Sequence, residues 1–374
     1  INHQHIYYSQ EARMYSLLVF LVLLSMYLLS KALRENKNKF WIGYVITTIS
    51  LVYTHYYSLF IVLFQYLFIL LFFKNIKKVF TKALISGISF FILFIPWIPT
   101  ILRQLRASSD IGWLSSKPTI LTLAQIFLSF NSWISPDLET RTALRSMNLT
   151  NISSQGLILV LSIFLLAFIL LIYFIFGILK YKNKSINFTD LKNKNILFLL
   201  MWILIPIIIP FIASYILKGP ALGPTRYVLF VSPAYYIIAA KGIYEHKKHI
   251  VALLLLILFS LYPIYSFYVN FDKQQWKETA KYLYENIDEN ELVIIHAYNT
   301  YLPLSYYYTK LDNVKNIKSV EEVKQIIKSK NSFWLILAQE KYSDPKNTIK
   351  SYLDANYKID KQIELTGVKI FHYS

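Results

Sequence analysis

The sequence predicts a polytopic α-helical membrane protein of about eight spans, with a small C-terminal α/β extracytoplasmic domain. Three observations carry that expectation. The 374 residues are 55% hydrophobic and 16% charged, with a mean hydropathy of +0.41, whereas soluble domains carry roughly 25% charged residues. Apolar runs of near-spanning length recur through residues 1–270. From residue 271 onward the pattern changes to short, charged segments that alternate between helix and strand character. The expected organisation is therefore a transmembrane domain over 1–270 and a soluble domain over 271–374.

The apolar runs lie at 14–33, 41–54, 56–73, 83–101, 156–179, 196–217, 227–243 and 250–269. A crossing helix needs about 20 apolar residues, with a range near 17–25. The second run is short, which suits a helix that ends in a protein cavity beside His55. Pro96-Trp97-Ile98-Pro99 should close the fourth span, because a proline disfavours helix in the residue before it. Pro206 and Pro210 should kink the sixth, which is tolerable where neighbours re-satisfy the backbone. Residues 119–130 are apolar but too few to cross, and read as an interfacial or re-entrant helix over a cavity.

Net charge is +18. Much of it sits in the short connectors 31–39, 74–82, 180–194 and 241–248, where lysine sets topology. A nucleic-acid partner is therefore not implied, and the bilayer is the expected one. Basic connectors face the cytoplasm, which places the chain in the plasma membrane as a multi-pass protein. The Glu11 end, His55, the segment 103–154, the loop 218–226 and everything after Asn270 then share the outer side. Asn148 and Asn151 head glycosylation sequons on that side. The chain has no cysteine, which excludes disulfides and thiolate metal sites.

The outer side collects the unusual polar residues. Glu11, Arg13 and Tyr15 stand at the mouth of the first span, His55 and Tyr56 between the second and third, and Arg226 and Tyr227 at the start of the seventh. Ionisable groups at membrane depth are costly and tend to face a cavity or pathway, although Tyr and Arg also serve as interfacial anchors. An arginine can hold a phosphate with its fork while its stem lies along apolar surface. Glu11 is a candidate ligand for a divalent cation, or a hydrogen-bond partner for sugar hydroxyls. A hard cation wants more oxygen ligands than one, and only His55, Asp137 and Glu139 are near candidates. Trp97, Trp113, Trp133 and Tyr227 could stack on sugars, or simply anchor at the interface.

In the C-terminal domain, 274–286 reads as an amphipathic helix and 292–297 as a buried strand. Residues 320–328 read as a helix, 332–338 as a second strand and 346–355 as a helix. A closing hairpin over 357–365 and 368–373 turns around Gly367. There is no Gly-rich phosphate loop, and His296 reads as packing.

Tyr8-Ser9-Gln10-Glu11-Ala12-Arg13-Met14-Tyr15, then a span, a basic connector and Tyr53-Thr54-His55-Tyr56-Tyr57, resembles the prokaryotic membrane glycosyltransferases of family 39. These are similar to the dolichyl-phosphate-mannose protein mannosyltransferases and to the aminoarabinose transferase of lipid A modification. Arg226-Tyr227 opening a span, Ser232-Pro233, and Trp276-Lys277 opening the soluble tail agree with the resemblance. It implies the GT-C membrane fold and an inverting transfer at the outer membrane face, from a polyprenyl-phosphate-linked sugar to a lipid, glycan or protein acceptor. A base would deprotonate the acceptor hydroxyl, which attacks the anomeric carbon as the lipid phosphate leaves. Arg226 and Arg13 would meet the charge growing on that phosphate. Glu11 resembles the family's second acidic position, and His55-Tyr56 its cavity-lining pair. The same resemblance puts the catalytic Asp in an external loop well ahead of Glu11, so the general base is expected upstream of Ile1, in a longer chain. The alternative is a non-catalytic exporter or flippase, which would call for polar residues through the span interiors and internal pseudo-symmetry.

Overall fold

The structure is a computed structural model that describes residues 3–11, 13–72, 77–107, 117–132, 154–182, 195–216, 222, 225–269, 274–288, 291–296, 298–317, 319–328, 330, 332–338 and 346–374. Asp137, Glu139, Trp113, Trp133, Asn148, Asn151 and most of the 218–224 loop lie outside the described residues. The chain divides into two units, Ile1–Tyr268 and Val269–Ser374.

The first unit is helical among its described residues. Its elements are α1 (His3–Ser9), α2 (Tyr15–Glu35), α3 (Asn38–Thr54), α4 (Leu59–Leu71), α5 (Lys77–Phe94), α6 (Ile98–Ala107), α7 (Ile120–Ser132), α8 (Ser154–Lys182), α9 (Asn195–Ile216), α10 (Ser232–Glu245) and α11 (His249–Val269). Three 3-10 turns join them, at Tyr56–Ser58, Ile95–Trp97 and Thr225–Val231. Five stretches are long and apolar enough to cross a membrane: Tyr15–Glu35, Lys77–Gln104, Val160–Lys180, Asn195–Ile216 and Thr225–Glu245. Shorter apolar helices cover Tyr56–Leu71, Ile120–Asn131 and His249–Tyr265. Large apolar side chains stand outward on α5 (Leu84, Ile88, Phe91) and α11 (Leu254, Leu258, Leu261), a surface that water would penalise and hydrocarbon would not.

Helix α5 ends at Phe94, ahead of Pro96 as expected, but the apolar stretch continues to Gln104 through the 3-10 turn Ile95–Trp97 and α6. Pro96 and Pro99 fall in the first turns of the new segments, where the missing N–H costs nothing.

The helices hold together through close packing and a few buried hydrogen bonds. Helices α8 and α10 cross backbone to backbone at Gly177 and Gly242. A Cβ on Gly242 would overlap the Tyr173 carbonyl oxygen and stand 2.8 Å from the Gly177 nitrogen. Gln65 on α4 is fully buried. Its amide nitrogen donates to Ser25 Oγ on α2 at 2.9 Å, and its oxygen accepts from the Tyr44 hydroxyl on α3 at 2.9 Å. One side chain thus pins three helices. Gln65→Ala should strand the Tyr44 hydroxyl and destabilise the unit by about 1–2 kcal/mol, read as a lower melting temperature in detergent. Gln65→Glu should not restore it, because a charge is then buried.

Lys82 Nζ donates to the Asn36 carbonyl at 2.7 Å, and Asn36 Nδ2 to the Lys78 carbonyl at 3.3 Å. The basic connectors 31–39 and 74–82 therefore meet at one end. Helix α2 starts at Tyr15 and finishes in one basic connector; α10 follows Tyr227 and finishes in another. The Tyr15–Tyr227 ring contact brings their starts together.

The second unit contains α12 (Trp276–Asn286), β1 (Leu292–His296), α13 (Tyr298–Tyr307), β2 (Val314–Ile317), α14 (Val320–Ile327), β3 (Phe333–Leu337), α15 (Thr348–Asn356), β4 (Ile359–Leu365) and β5 (Val368–Tyr373). Strand order is β2-β1-β3-β5-β4, with β1 parallel to β2 and β3 and the closing hairpin antiparallel. β1 and β3 are buried throughout, as central strands covered on both faces should be. Helices α12 and α13 cover one face through Trp276, Leu283 and Leu304; α14 and α15 cover the other through Val323, Ile327 and Leu353. Gly367 turns the hairpin at φ 71°, a conformation that suits glycine.

Glu291, just before β1, ties three strands' worth of side chains. Its carboxylate accepts from Trp334 Nε1 at 2.8 Å, Ser332 Oγ at 2.7 Å and His372 Nε2 at 2.9 Å. Burial pushes the carboxyl up, but the hydrogen bonds from Trp334, Ser332 and His372 outweigh it and hold it below its ordinary value. A carboxyl depressed in the folded state contributes stability above its unfolded value, near 4.3. That contribution is lost as pH falls through the lower folded value. Glu291→Gln should therefore weaken the unit at neutral pH and flatten the acid limb of its stability profile, measured by urea midpoints from pH 3 to 7.

Candidate functional site

The site lies where α2, the His55 corner and the Thr225–Val231 turn meet. Tyr15 opens α2 and is 2% exposed. His55 ends α3 in an extended conformation, φ −159° and ψ 129°, and starts the next turn. Its Nδ1 accepts from the Tyr57 backbone N–H at 3.2 Å, so in the neutral ring Nε2 carries the proton. The Ser58 hydroxyl donates to the His55 carbonyl at 2.6 Å. The imidazole is thereby fixed by the chain that bends around it.

Four rings converge here. His55 meets Tyr227 edge-on at 4.9 Å between centroids and Tyr57 at 5.6 Å. Tyr57 and Tyr227 are 5.3 Å apart, Tyr15 and Tyr227 6.4 Å, and Tyr15 and His55 6.2 Å. Tyr8, on α1, adds a fifth ring at 5.0 Å from Tyr15. The His5 ring nitrogen Nε2 lies 2.7 Å from the Ser232 hydroxyl at the start of α10, which helps hold α1 in place. Such edge and offset contacts are the arrangements aromatic quadrupoles favour.

The cations border this box. The Arg226 guanidinium carbon is 5.6 Å from the Tyr227 ring centroid. Its Nε is buried without a hydrogen-bond partner among the described residues. A buried donor of that kind is costly unless something accepts from it. Arg13 is mostly exposed and sits 3.8 Å from the Glu11 carboxylate. An exposed pair at that distance contributes about 0–1 kcal/mol, so Glu11 stays available to a stronger partner. Of the carboxylates among the described residues of this unit, Glu35 and Glu245 pair with lysines at the other end, and Glu11 is the one at the aromatic end.

The structure brings together Tyr15, His55, Arg226 and Tyr227, with Glu11 and Arg13 at the same helix mouth. It does not bring in Tyr56, whose hydroxyl instead donates to Gln104 Oε1 on α6 at 2.6 Å. Tyr57 takes that place, because the 3-10 turn directs adjacent side chains about a third of a revolution apart. Tyr57 stood in the sequence motif all along; Tyr8 had only its place beside Glu11 to suggest it. Trp97 stacks on Tyr53 at 4.8 Å, away from the box. Among the described residues, no three His, Asp or Glu side chains gather closely enough to hold a metal ion.

No protein-family model matches the chain, and no curated protein matches it. The functional reading therefore rests on the residues themselves. A guanidinium whose Nε is unpartnered among the described residues, beside tyrosines, a second arginine and a fixed imidazole, is the chemistry that could meet an anion. Phosphate oxygens suit the arginine fork, and tyrosine rings suit either a sugar face or a lipid chain.

Proposed function

We propose that the chain is a membrane glycosyltransferase of the family 39 kind, which takes a sugar from a polyprenyl-phosphate donor and passes it to a lipid, glycan or protein acceptor at the outer membrane face. In this reading the eight apolar runs cross the plasma membrane, the lysine-rich connectors face the cytoplasm, and residues after Asn270 are extracytoplasmic. The observation that supports it best is spatial. The two sequence motifs of the resemblance and the Arg226-Tyr227 pair come from separate segments, yet their side chains meet beside a guanidinium whose Nε is unpartnered among the described residues.

Arg226 would grip the donor phosphate and grow more effective as negative charge collects on it during transfer. Tyr15, Tyr57 and Tyr227 would exclude water and flank the sugar or the first isoprene units. The His55 Nε2 proton would be offered to a phosphate or sugar oxygen. Glu11 would accept a hydrogen bond from a sugar hydroxyl, or would serve as one oxygen ligand of a divalent cation, which would supply charge neutralisation for the phosphate.

The test is sugar transfer by membranes containing the protein, supplied with radiolabelled polyprenyl-phosphate sugars and extracted cell-envelope acceptors. Label appearing in acceptor, and falling at least about 10-fold with Glu11→Gln, supports the reading. Label that crosses the bilayer still attached to its lipid would instead indicate an exporter.

A further inference from the structure

Among the described residues after Val269, the exposed large apolar side chains of the second unit fall in one place. They are Tyr284 near the end of α12 and Leu302, Tyr306 and Tyr307 on α13, with Tyr306 80% exposed. Leu302 and Tyr306 are one helical turn apart, and the Tyr306 and Tyr307 rings touch at 4.9 Å. Beside them lies an open groove of about 320 Å³, lined by Lys277, Ala280, Lys281, Tyr284, Glu285 and Tyr307. Lys281 approaches Glu285 only to 3.8 Å, and Lys277 forms no ion pair among the described residues. Thr309 donates its backbone N–H to the Tyr284 hydroxyl at 2.6 Å, which fixes that ring upright at the groove edge. Lysines alternating with tyrosines match a layer where phosphate headgroups meet acyl chains: amphipathic rings favour that depth, and each nearby lysine adds about 1 kcal/mol on an anionic leaflet.

The covalent chain favours the same partner. Helix α11 ends at Val269 with Tyr265 and Tyr268 exposed in its last turn. Helix α12 begins at Trp276. Six residues, 270–275, join the two helices, a reach of about 25 Å at full extension from Val269 to Trp276.

We propose that the α12–α13 face is a docking surface for anionic lipid headgroups, so that the C-terminal unit rests on the bilayer. This rests on the reading that α11 lies in the membrane. Tyr306 and Tyr307 enter the headgroup layer, Lys277 and Lys281 pair with lipid phosphates, and the α14–α15 face points to water.

The chain has no cysteine, so single labels are clean. The full protein is reconstituted in nanodiscs of phosphatidylcholine with or without phosphatidylglycerol. An environment-sensitive fluorophore is attached at Tyr306→Cys, at Ser351→Cys on α15, or at Leu258→Cys within α11. The expected result is quenching by headgroup-proximal spin-labelled lipid at least about three-fold stronger at 306 than at 351, increased by phosphatidylglycerol. Lys277→Glu with Lys281→Glu should remove that increase. Equal quenching at 306 and 351, with 258 strongly quenched by lipid spin-labelled in its acyl chain, overturns the docking while leaving the membrane reading intact. Absent quenching at 258 removes both. A spectral change at 306 on adding soluble oligosaccharide, without response to lipid, also overturns it and marks the groove as a glycan site.

Discussion

Arg226→Ala should lower sugar transfer from a polyprenyl-phosphate donor by at least about 100-fold, the scale seen when one donor to a developing oxyanion is removed. The reason lies in the guanidinium's surroundings. It is held in an aromatic corner with Nε buried and without a partner among the described residues, so water contributes little to that donor and an incoming phosphate contributes much. The empty protein bears that cost; the bound one recovers it. Arg226→Lys keeps the charge but loses the planar fork and the Nε donor, and should retain an intermediate activity. Both variants should remain monodisperse in detergent, because replacing a half-satisfied buried group with a smaller one does not strain the fold. Turnover of Arg226→Ala within a factor of three of the wild type, assayed at saturating donor, would remove this residue from the site.

Gly242→Val should abolish recovery of folded protein. The side chain would have to occupy the space of the Tyr173 carbonyl and crowd the Gly177 nitrogen, and both are main-chain atoms of a helix that cannot step aside singly. Overpacking of this kind costs about 3 kcal/mol or more. It also separates α8 from α10, whose start carries the Ser232 contact to α1. Gly177→Ala meets the Ile238 carbonyl and should behave likewise, somewhat more mildly. Gly43→Ala is the contrast: its Cβ would meet only the Leu28 side chain, at 3.4 Å, an ordinary contact. That variant should melt within a degree or two of the wild type. Fluorescence-detected size exclusion of the three variants, followed by thermal melts of those that elute as single peaks, separates these outcomes.

The helical unit was legible because its apolar runs are long, and hydropathy reports length. The pairing of Gly177 with Gly242 was not, since a close crossing between residues 65 apart in sequence leaves no local trace. Helix α1 was hidden for a different reason: its seven residues HQHIYYS contain no apolar period, and it is helical because it is packed on α2 and α7. In the second unit, β1 and β3 announce themselves as uninterrupted LVIIH and FWLIL. Strand β2 does not, for it has four residues with Lys315 and Asn316 in the middle. Helix α13 carries Pro303 and little amphipathicity, and tyrosines that favour strands as readily. At the candidate site, the motifs supplied Glu11, Arg13, Tyr15 and His55. The choice of Tyr57 over Tyr56 depends on which way a 3-10 turn points its side chains, and that is fixed by the hydrogen bond to His55.

The strand order of the second unit also governs when it can be made. β5 lies between β3 and β4, and it is synthesised about 30 residues after β3. Until β5 has been made, β3 has a bare edge and the FWLIL segment has no neighbour on that side. Such an edge is a template for pairing with other chains. Nascent copies are therefore vulnerable for the whole interval between the emergence of β3 and that of β5, during which roughly 30 residues pass at about 5–20 per second. A chaperone that shields extended apolar segments for a few seconds should raise the yield, and overexpression beyond its capacity should give aggregates joined through this sheet.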